Sequence, residues 1–258
     1  MCTVLLAYHQ VDGWPLIVAN NRDEFYARRA LPPRISRGTN GRRWIACHDL
    51  ESGGSWWGWS SSGVLVWLTN RWTTPEYIDD GRFSRGRLVI DLLDRMETGA
   101  AAAEWLSTRH RGPGYNPFNL LLLAPDCAFL ATNFPTPRIL AITPGFHFLG
   151  NGELEHCPTV KARSARRLLA GLAGSNPLSG RSGRNLVLET FRRSLSTSFP
   201  QDSIPPQGFN VRFAEYGTSA SLLLAIPETR KDDVLLGYCD GNPLFCNYQD
   251  FGILASLL

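Results

Sequence analysis

The chain has 258 residues, of which 43% are hydrophobic and 19% charged, so it carries enough apolar side chains for a substantial core. Its net charge of +3, from 26 basic and 23 acidic residues, is too balanced for a nucleic-acid-binding surface. We therefore expect one folded globular domain over residues 1–258 that binds no nucleic acid.

The six cysteines are widely spaced, and no two of them form a C-x-x-C pair. Zinc-site and thioredoxin-type spacings are thus lacking, and we expect no metal and no cofactor. The N-terminal segment has no basic region followed by a long apolar stretch, and no apolar run approaches about eighteen residues. These patterns predict a chain without a signal peptide or membrane span, in a reducing, cytoplasmic compartment. They leave the oligomeric state open.

The first 24 residues predict a β-hairpin. Residues 3–9 are apolar and β-prone, Asp12-Gly13 is a tight-turn dipeptide, and residues 14–19 form a second strand. With a two-residue turn, Val11 pairs with Trp14, and Cys2 lies opposite Asp23. The polar residues 20–24 therefore return beside the N-terminus.

Cys2 becomes the first residue if the initiator methionine is removed, which the small size of cysteine permits. It then carries a thiol nucleophile and a free α-amine, whose reference pKa of about 7.7–8.0 suits a base. Asp23 is placed to hold the ammonium, and the charge of Arg22 to lower the thiol pKa. Two ordinary alternatives stay open at this point: an inconsequential second-position cysteine, and a charged loop after a strand.

The rest of the chain contains groups of strands and groups of helices. Strands are predicted within 53–59 and at 64–70, 118–123, 129–132, 138–142, 146–149, 220–226 and 234–238, and helices at 83–97, 99–107, 159–172 and 186–195. Hairpins are predicted about Pro125-Asp126 and Pro144-Gly145, and an exposed loop at 174–183. This grouping favours an α+β fold of antiparallel sheets over a parallel doubly wound sheet.

Several motifs, in order along the chain, resemble those of the NRDE family, also called the transport and Golgi organisation protein 2 family. They are Cys2 with Asn21-Arg22-Asp23-Glu24-Phe25, Gly54-Ser55-Trp56-Trp57-Gly58, Leu68-Thr69-Asn70, Ser84-Arg85-Gly86, Phe118-Asn119-Leu120-Leu121, Asn151 and Tyr216-Gly217-Thr218. The matches extend from residue 2 to about 226. The chain departs from the family pattern at Gly150 (serine in the family), at Cys157-Pro158-Thr159 (Trp-Pro-Lys) and at Ser219 (arginine).

This family in turn resembles the N-terminal nucleophile hydrolases, which include bile-salt and penicillin-V amidases. The resemblance implies a four-layer αββα sandwich of antiparallel sheets. It also implies that Cys2 attacks an amide carbonyl, that its α-amine carries the proton, and that Asp23 positions the amine or thiol. Asn70 would donate to the oxyanion, and Asn151 would orient the α-amine or complete the oxyanion hole. For each asparagine, a turn residue that bonds its own backbone is the ordinary alternative.

Two functions from different classes follow. The first is a cysteine amidohydrolase acting on a non-peptide amide of a small molecule, with substrate contacts predicted at Arg22, Asn21, Trp56 and Trp57. Core packing is the alternative for the tryptophans. The second is a non-catalytic binding or trafficking protein for an apolar ligand such as haem or lipid, related to Golgi organisation and lipid homeostasis. Cys157-Pro158 resembles the Cys-Pro element of some haem-responsive proteins.

Overall fold

A computed structural model of the chain describes residues 2–109, 114–124, 127–152, 159–175, 178–198, 208–229 and 231–258. The chain divides into two compact units. The first contains residues up to 27 and residues 144–256, and the second contains residues 28–143 and 257–258.

The described residues form antiparallel strands and short to medium helices. The strands are β1 (Cys2–Val11), β2 (Trp14–Phe25), β3 (Ala30–Arg37), β4 (Arg43–Asp49), β5 (Trp57–Ser60), β6 (Leu65–Asn70), β7 (Phe118–Ala124), β8 (Cys127–Thr132), β9 (Arg138–Ala141), β10 (Gly145–Leu149), β11 (Tyr216–Ile226), β12 (Leu235–Cys239) and β13 (Gln249–Asp250). The α-helices are α1 (Arg85–Arg95), α2 (Gly99–Arg109), α3 (Val160–Ala173), α4 (Gly180–Leu195) and α5 (Ile253–Ser256), and short 3-10 helices lie at Pro75–Tyr77 and Lys231–Asp233.

The first unit is built on a six-stranded antiparallel sheet with the order β10-β1-β2-β11-β12-β13. Helix α3 packs against β10, and α4 packs against β1, β2 and β11. Most of β1 and β2 is buried, since each contains a continuous run of apolar residues and has a neighbouring strand on both sides. The first unit is therefore a sheet with helices packed on it.

The second unit contains a seven-stranded sheet in which strands β3 to β9 follow one another in chain order. Helix α1 packs against β4, β5 and β6, and α2 packs against β7, β8 and β9. Apolar side chains of these helices and strands form one core. Both units thus have the predicted α+β character with antiparallel sheets. No helix in the described part of the chain is long and apolar enough to cross a membrane.

The predicted N-terminal hairpin is present, but its register differs from the prediction. Val11 pairs with Trp14 as expected, whereas a β-bulge between Tyr8 and Val11 adds one residue to β1. Within the bulge His9 adopts the left-handed conformation, with a φ of 49°. Cys2 therefore pairs with Arg22, and the predicted pairing of Cys2 with Asp23 is wrong.

The predicted hairpin about Pro144-Gly145 is also wrong. Strand β9 pairs with β8 in the second unit, and β10 pairs with β1 in the first. The chain passes from one sheet to the other at Pro144, where the two units divide. Phe148 and Leu149 of β10 are buried, so this strand is stabilised by covering the edge of β1.

Strands β7 and β8 form the predicted hairpin, with Ala124 opposite Cys127, although its turn at Pro125-Asp126 lies outside the described residues. Strand β3 was not predicted individually, and it contains Pro32 and Pro33. These prolines are tolerated because β3 lies at the edge of its sheet, where a missing N–H removes few ladder bonds.

Helix α4 starts at Gly180, earlier than predicted, and includes part of the expected loop. The helix can begin this early because residue 183 is glycine. A Cβ atom at this position would come within 2.9 Å of the carbonyl carbon of Leu178. Glycine permits this close approach of helix and preceding backbone, so it is compatible with a helix here despite its low propensity.

We expect Gly183→Ala to lower the free energy of unfolding by about 1–3 kcal/mol, because the added methyl group overpacks the contact with Leu178. The matched control is Gly171→Ala in α3, where the site is exposed and no atom lies within 4 Å of the new Cβ. That variant should gain about 0.5–1 kcal/mol from helix propensity. Urea denaturation measures both, and a stabilised Gly183→Ala would contradict the packing argument.

Candidate active site

Cys2 lies at the start of β1, between β10 on one side and β2 on the other. Its backbone N–H donates a hydrogen bond to Asn151 Oδ1 at 3.3 Å. Asn151 arrives there because it follows β10, whose register places Val4 opposite Leu149. Continuing that register by two residues on each strand puts Asn151 opposite Cys2. Both residues are buried, with Cys2 8% exposed.

Asp23 is the buried acid beside Cys2, and it is 1% exposed. Its Oδ1 accepts a hydrogen bond from the Thr218 hydroxyl at 2.7 Å, and Lys161 Nζ lies 3.6 Å from its Oδ2. The Tyr216 hydroxyl donates to the Asp23 backbone carbonyl at 2.8 Å. Residues of β2, β11 and α3 therefore converge on this one side chain.

Burial governs the electrostatics of both groups. Burial raises the pKa of the Cys2 thiol above its ordinary value, the Asp23 charge adds to this rise, and the Arg22 charge opposes it. Burial also raises the pKa of the Asp23 carboxyl, while the Lys161 ammonium and the Thr218 hydroxyl oppose that rise. Asp23 thus depends on its neighbours to carry a negative charge.

Arg22 is 5% exposed and reaches the next strand of the sheet. A β-bulge in β11 inserts Ser219 between the residues that pair with Asp23 and Arg22. Arg22 Nη1 donates to Ser219 Oγ at 3.0 Å, and Ser219 Oγ donates to the Arg22 carbonyl at 3.3 Å. The bulge therefore fixes the guanidinium at the end of the sheet.

A cavity of about 410 Å³ opens on the β11 side of these residues. Its size falls in the range of small-molecule sites. Its lining combines polar and aromatic side chains: Tyr26, Arg212, Thr218, Ser219, Asp240, Asn242 and Phe245, with Gly241. Thr218 and Ser219 link this cavity to Asp23 and Arg22.

Two of the predicted substrate contacts lie in the protein interior. Asn21 is fully buried, and its Nδ2 donates to the carbonyls of Leu195 and Phe209, both at 2.9 Å. Trp57 is fully buried, stacks on Trp67 with ring centroids 5.8 Å apart, and donates to Cys47 Sγ. Trp57 therefore packs in the core, which is the alternative to a substrate contact. Asn21 joins β2 to the backbone at Leu195 and Phe209.

The remaining predicted residues belong to the second unit. Asn70 is the last residue of β6 and is half-buried, opposite Phe118 of β7. Trp56 precedes β5, is 7% exposed, and its carbonyl accepts from the Leu68 N–H at 2.7 Å. The first unit thus brings together Cys2, Asp23 and Asn151, three of the four residues to which a catalytic role was given.

Lys161 is the site residue that the sequence reasoning missed. The segment around Lys161 was correctly predicted as a basic helix, and the other basic residues of that helix indicate a solvent-exposed face. The available signal was its position in the first turn of α3, where a cation is unfavourable next to the helix dipole. The Cys157-Pro158 pair lies outside the described residues, as does Met1.

Within the described part of the chain, Cys2, Cys47, Cys127, Cys239 and Cys246 are thiols and form no disulfide bond. Within the ranges that the structure describes, no three His, Cys, Asp or Glu side chains gather in a way that could bind a metal ion. The functional groups around Cys2 are the carboxyl group of Asp23, the amide of Asn151 and the cations of Arg22 and Lys161.

Solved structures of an acid amidase, an acylase and a bile acid hydrolase have a similar fold. The N-acylethanolamine-hydrolyzing acid amidase orthologue of Caenorhabditis elegans is 13% identical, with a TM-score of 0.55, covering 86% of this chain and 92% of that chain. Penicillin V acylase from Agrobacterium tumefaciens is 11% identical, with a TM-score of 0.56, covering 96% and 97%. A variant of the conjugated bile acid hydrolase from Clostridium perfringens is 10% identical, with a TM-score of 0.51, covering 98% and 93%. At such low identity these likenesses show the fold alone, and it is the predicted α+β fold of antiparallel sheets.

Sequence relatives are found in mammals. The Mus musculus Transport and Golgi organization 2 homolog is 32% identical over 153 residues, which cover 56% of this chain and 53% of the relative. The Homo sapiens protein of that name is 31% identical over 153 residues, with the same coverage. The chain thus spans about half the length of the curated relatives that it matches. Residues 1–235 match the sequence model of the Transport and Golgi organisation 2 family, so the chain belongs to that family.

Proposed function

We propose that the protein is an amidohydrolase in which Cys2, made N-terminal by removal of Met1, cleaves a non-peptide amide bond of a small molecule. The observation that carries this proposal is the hydrogen bond from the Cys2 nitrogen to Asn151, directly beside the buried carboxyl of Asp23. The fold shared with amidases supports it.

The chemistry starts with the nitrogen of Cys2. Removal of Met1 converts this nitrogen into an α-amine, and Asn151 Oδ1 already accepts a hydrogen bond from it. The amine takes the proton of its own thiol, and the thiolate attacks the amide carbonyl to form a tetrahedral intermediate. The ammonium then protonates the leaving amine, the C–N bond breaks, and a thioester remains. Water, deprotonated by the same amine, hydrolyses the thioester and restores the thiol.

Asp23 supplies the negative charge that this cycle requires. The α-amine becomes an ammonium in the first step, and a carboxylate nearby stabilises that charged form. Burial raises the pKa of the Cys2 thiol, so the thiol needs a base such as the α-amine to become a thiolate.

The other roles follow from position. A side-chain donor to the oxyanion lowers the barrier by about 3–4 kcal/mol, and this role for Asn70, a residue of the second unit, stays a prediction. We propose that the cavity beside Ser219 accommodates part of the substrate, with Arg22 fixing its wall. A substrate contact at Trp56, a residue of the second unit, stays a prediction. Asn21 and Trp57 are left out, because their side chains are engaged in the interior. One functional domain over residues 1–258 and a cytoplasmic location stay predictions.

We expect intact-mass measurement to find the mature protein without Met1, and an electrophilic acyl probe to label Cys2. The adduct should map to the tryptic peptide that ends at Arg22, and Cys2→Ala should abolish it. The substrate panel is an N-acylethanolamine, penicillin V and a conjugated bile acid, the compounds in the names of the structural neighbours.

The decisive control keeps the thiol and removes the free amine. A non-cleavable Gly-Ser extension before Cys2 should leave the protein folded but unable to turn over any amide of the panel. Equal turnover with and without the extension would refute the N-terminal mechanism. Retention of Met1, together with saturable binding of haem or a fatty acid, would favour the carrier function over the hydrolase.

We expect Asn151→Ala to lower kcat on the order of 100-fold, because misplacement of the reacting nitrogen has effects of that size. The matched control is Asn185→Ala, the same change at an exposed position of α4. Steady-state kinetics and urea denaturation on both variants separate a catalytic defect from a folding defect. Unchanged kcat in folded Asn151→Ala would exclude the orienting role.

A further inference from the structure

Lys161 occupies a position that its own helix disfavours. It is the second residue of α3 and lies two positions after the N-cap Thr159. The Thr159 hydroxyl accepts a hydrogen bond from the Ala162 N–H. The N-terminus of a helix carries a partial positive charge, so a cation there is repelled. Lys161 is nevertheless 5% exposed, and burial adds a desolvation cost to that repulsion.

The residue type is also unusual for this chain. Of the 26 lysine and arginine residues, all but Lys161 and Lys231 are arginines. The other cations of α3, Arg163, Arg166 and Arg167, are exposed, whereas the lysine points inward. An ammonium is a compact charge that a buried cleft can accept, whereas a guanidinium requires a wide planar site.

The side chain that compensates for these costs is Asp23. Lys161 Nζ lies 3.6 Å from Asp23 Oδ2, and the Thr218 hydroxyl occupies the other carboxyl oxygen. A carboxyl group as buried as Asp23 favours its neutral form unless an opposite charge lies close by. The ion pair therefore favours the charged form of the carboxyl group next to Cys2.

We propose that Lys161 is a positioning residue of the Cys2 site, whose ammonium holds Asp23 as a charged carboxylate in the orientation that the α-amine requires. The inference rests on the proposed amidohydrolase function and adds a residue to it. Lys161 acts through Asp23 and is given no contact with the substrate.

A pH profile reports this role, because removal of the ammonium raises the pKa of Asp23. As pH falls, the carboxylate is then protonated earlier, and activity is lost at a higher pH. The other titratable and charged groups around Asp23 also influence the pH dependence of activity. They are Cys2 on β1, Arg22 and Glu24 on β2, Tyr26 after β2, and Tyr216 on β11.

The test compares the pH dependence of kcat/KM and of Cys2 labelling in Lys161→Met, Lys161→Arg and the exposed control Arg167→Met. In Lys161→Met we expect the acid limb to move upward by about 1–3 pH units, the usual effect of an opposite charge at this distance. Lys161→Arg keeps the positive charge but places a wider group in the cleft, so it should restore only part of the shift, and Arg167→Met should match the unchanged protein. An acid limb that stays in place, or activity reduced equally at every pH, would overturn the proposal.

A second measurement does not depend on turnover or on the stability of Lys161→Met. In a Lys231→Arg background, Lys161 is the single lysine, and ¹³Cε labelling of lysine gives one NMR resonance. We expect Asp23→Asn to move this resonance, and Asp250→Asn, at an exposed position of the same sheet, to leave it unchanged. An unmoved resonance would refute the ion pair. If the resonance moves while Cys2 is neither processed nor labelled, the proposed function fails and the ion pair stands.

Discussion

The position of Cys2 depends on the hydrogen-bonding register of β1, which is held on both sides. Strand β10 fixes Asn151 opposite Cys2, and β2 places Arg22 as its partner. A bulge at His9 sets the register of β1 against β2, and a bulge at Ser219 sets the register of β11 against β2. A slip of one residue in either would turn every side chain of the strand to the other face of the sheet. The candidate site is therefore a property of strand pairing before it is a property of any single side chain.

The same site places opposite charges in the interior of the first unit. Removing one partner of a buried ion pair typically destabilises a protein by about 3–5 kcal/mol, whereas a pair of well-packed apolar residues is often no less stable. A buried acid and cation are thus weak contributors to stability, and Asp23 with Lys161 is better explained by what the pair does for Cys2. The Thr218 hydroxyl, which accepts from the Val211 N–H while donating to Asp23, keeps the carboxyl oriented.

Local signals in the sequence predicted most elements and the N-terminal hairpin, because apolar periodicity and the Asp12-Gly13 turn are short-range features. The register could not be predicted, because the bulge at His9 has no glycine to indicate its left-handed backbone. The partner of β10 was missed because pairing across the chain is decided by which sheet edge needs covering. Lys161 resembled one more solvated cation, and only the fold shows that its side chain faces Asp23. Trp57 carried the same apolar signal whether it packed in the core or lined a pocket.

The residues around Cys2 and Asp23 are far apart in the sequence, and this separation affects when their contacts form during folding. The contact between Cys2 and Asn151 spans 149 positions, and that between Asp23 and Thr218 spans 195. Contacts of such separation form late, after the entropy of closing long loops has been overcome. In a nascent or partly folded chain Cys2 therefore lacks Asn151, and Asp23 lacks Thr218, until the last strands join the sheet. Under the proposed function, folding itself is the safeguard against premature acyl transfer.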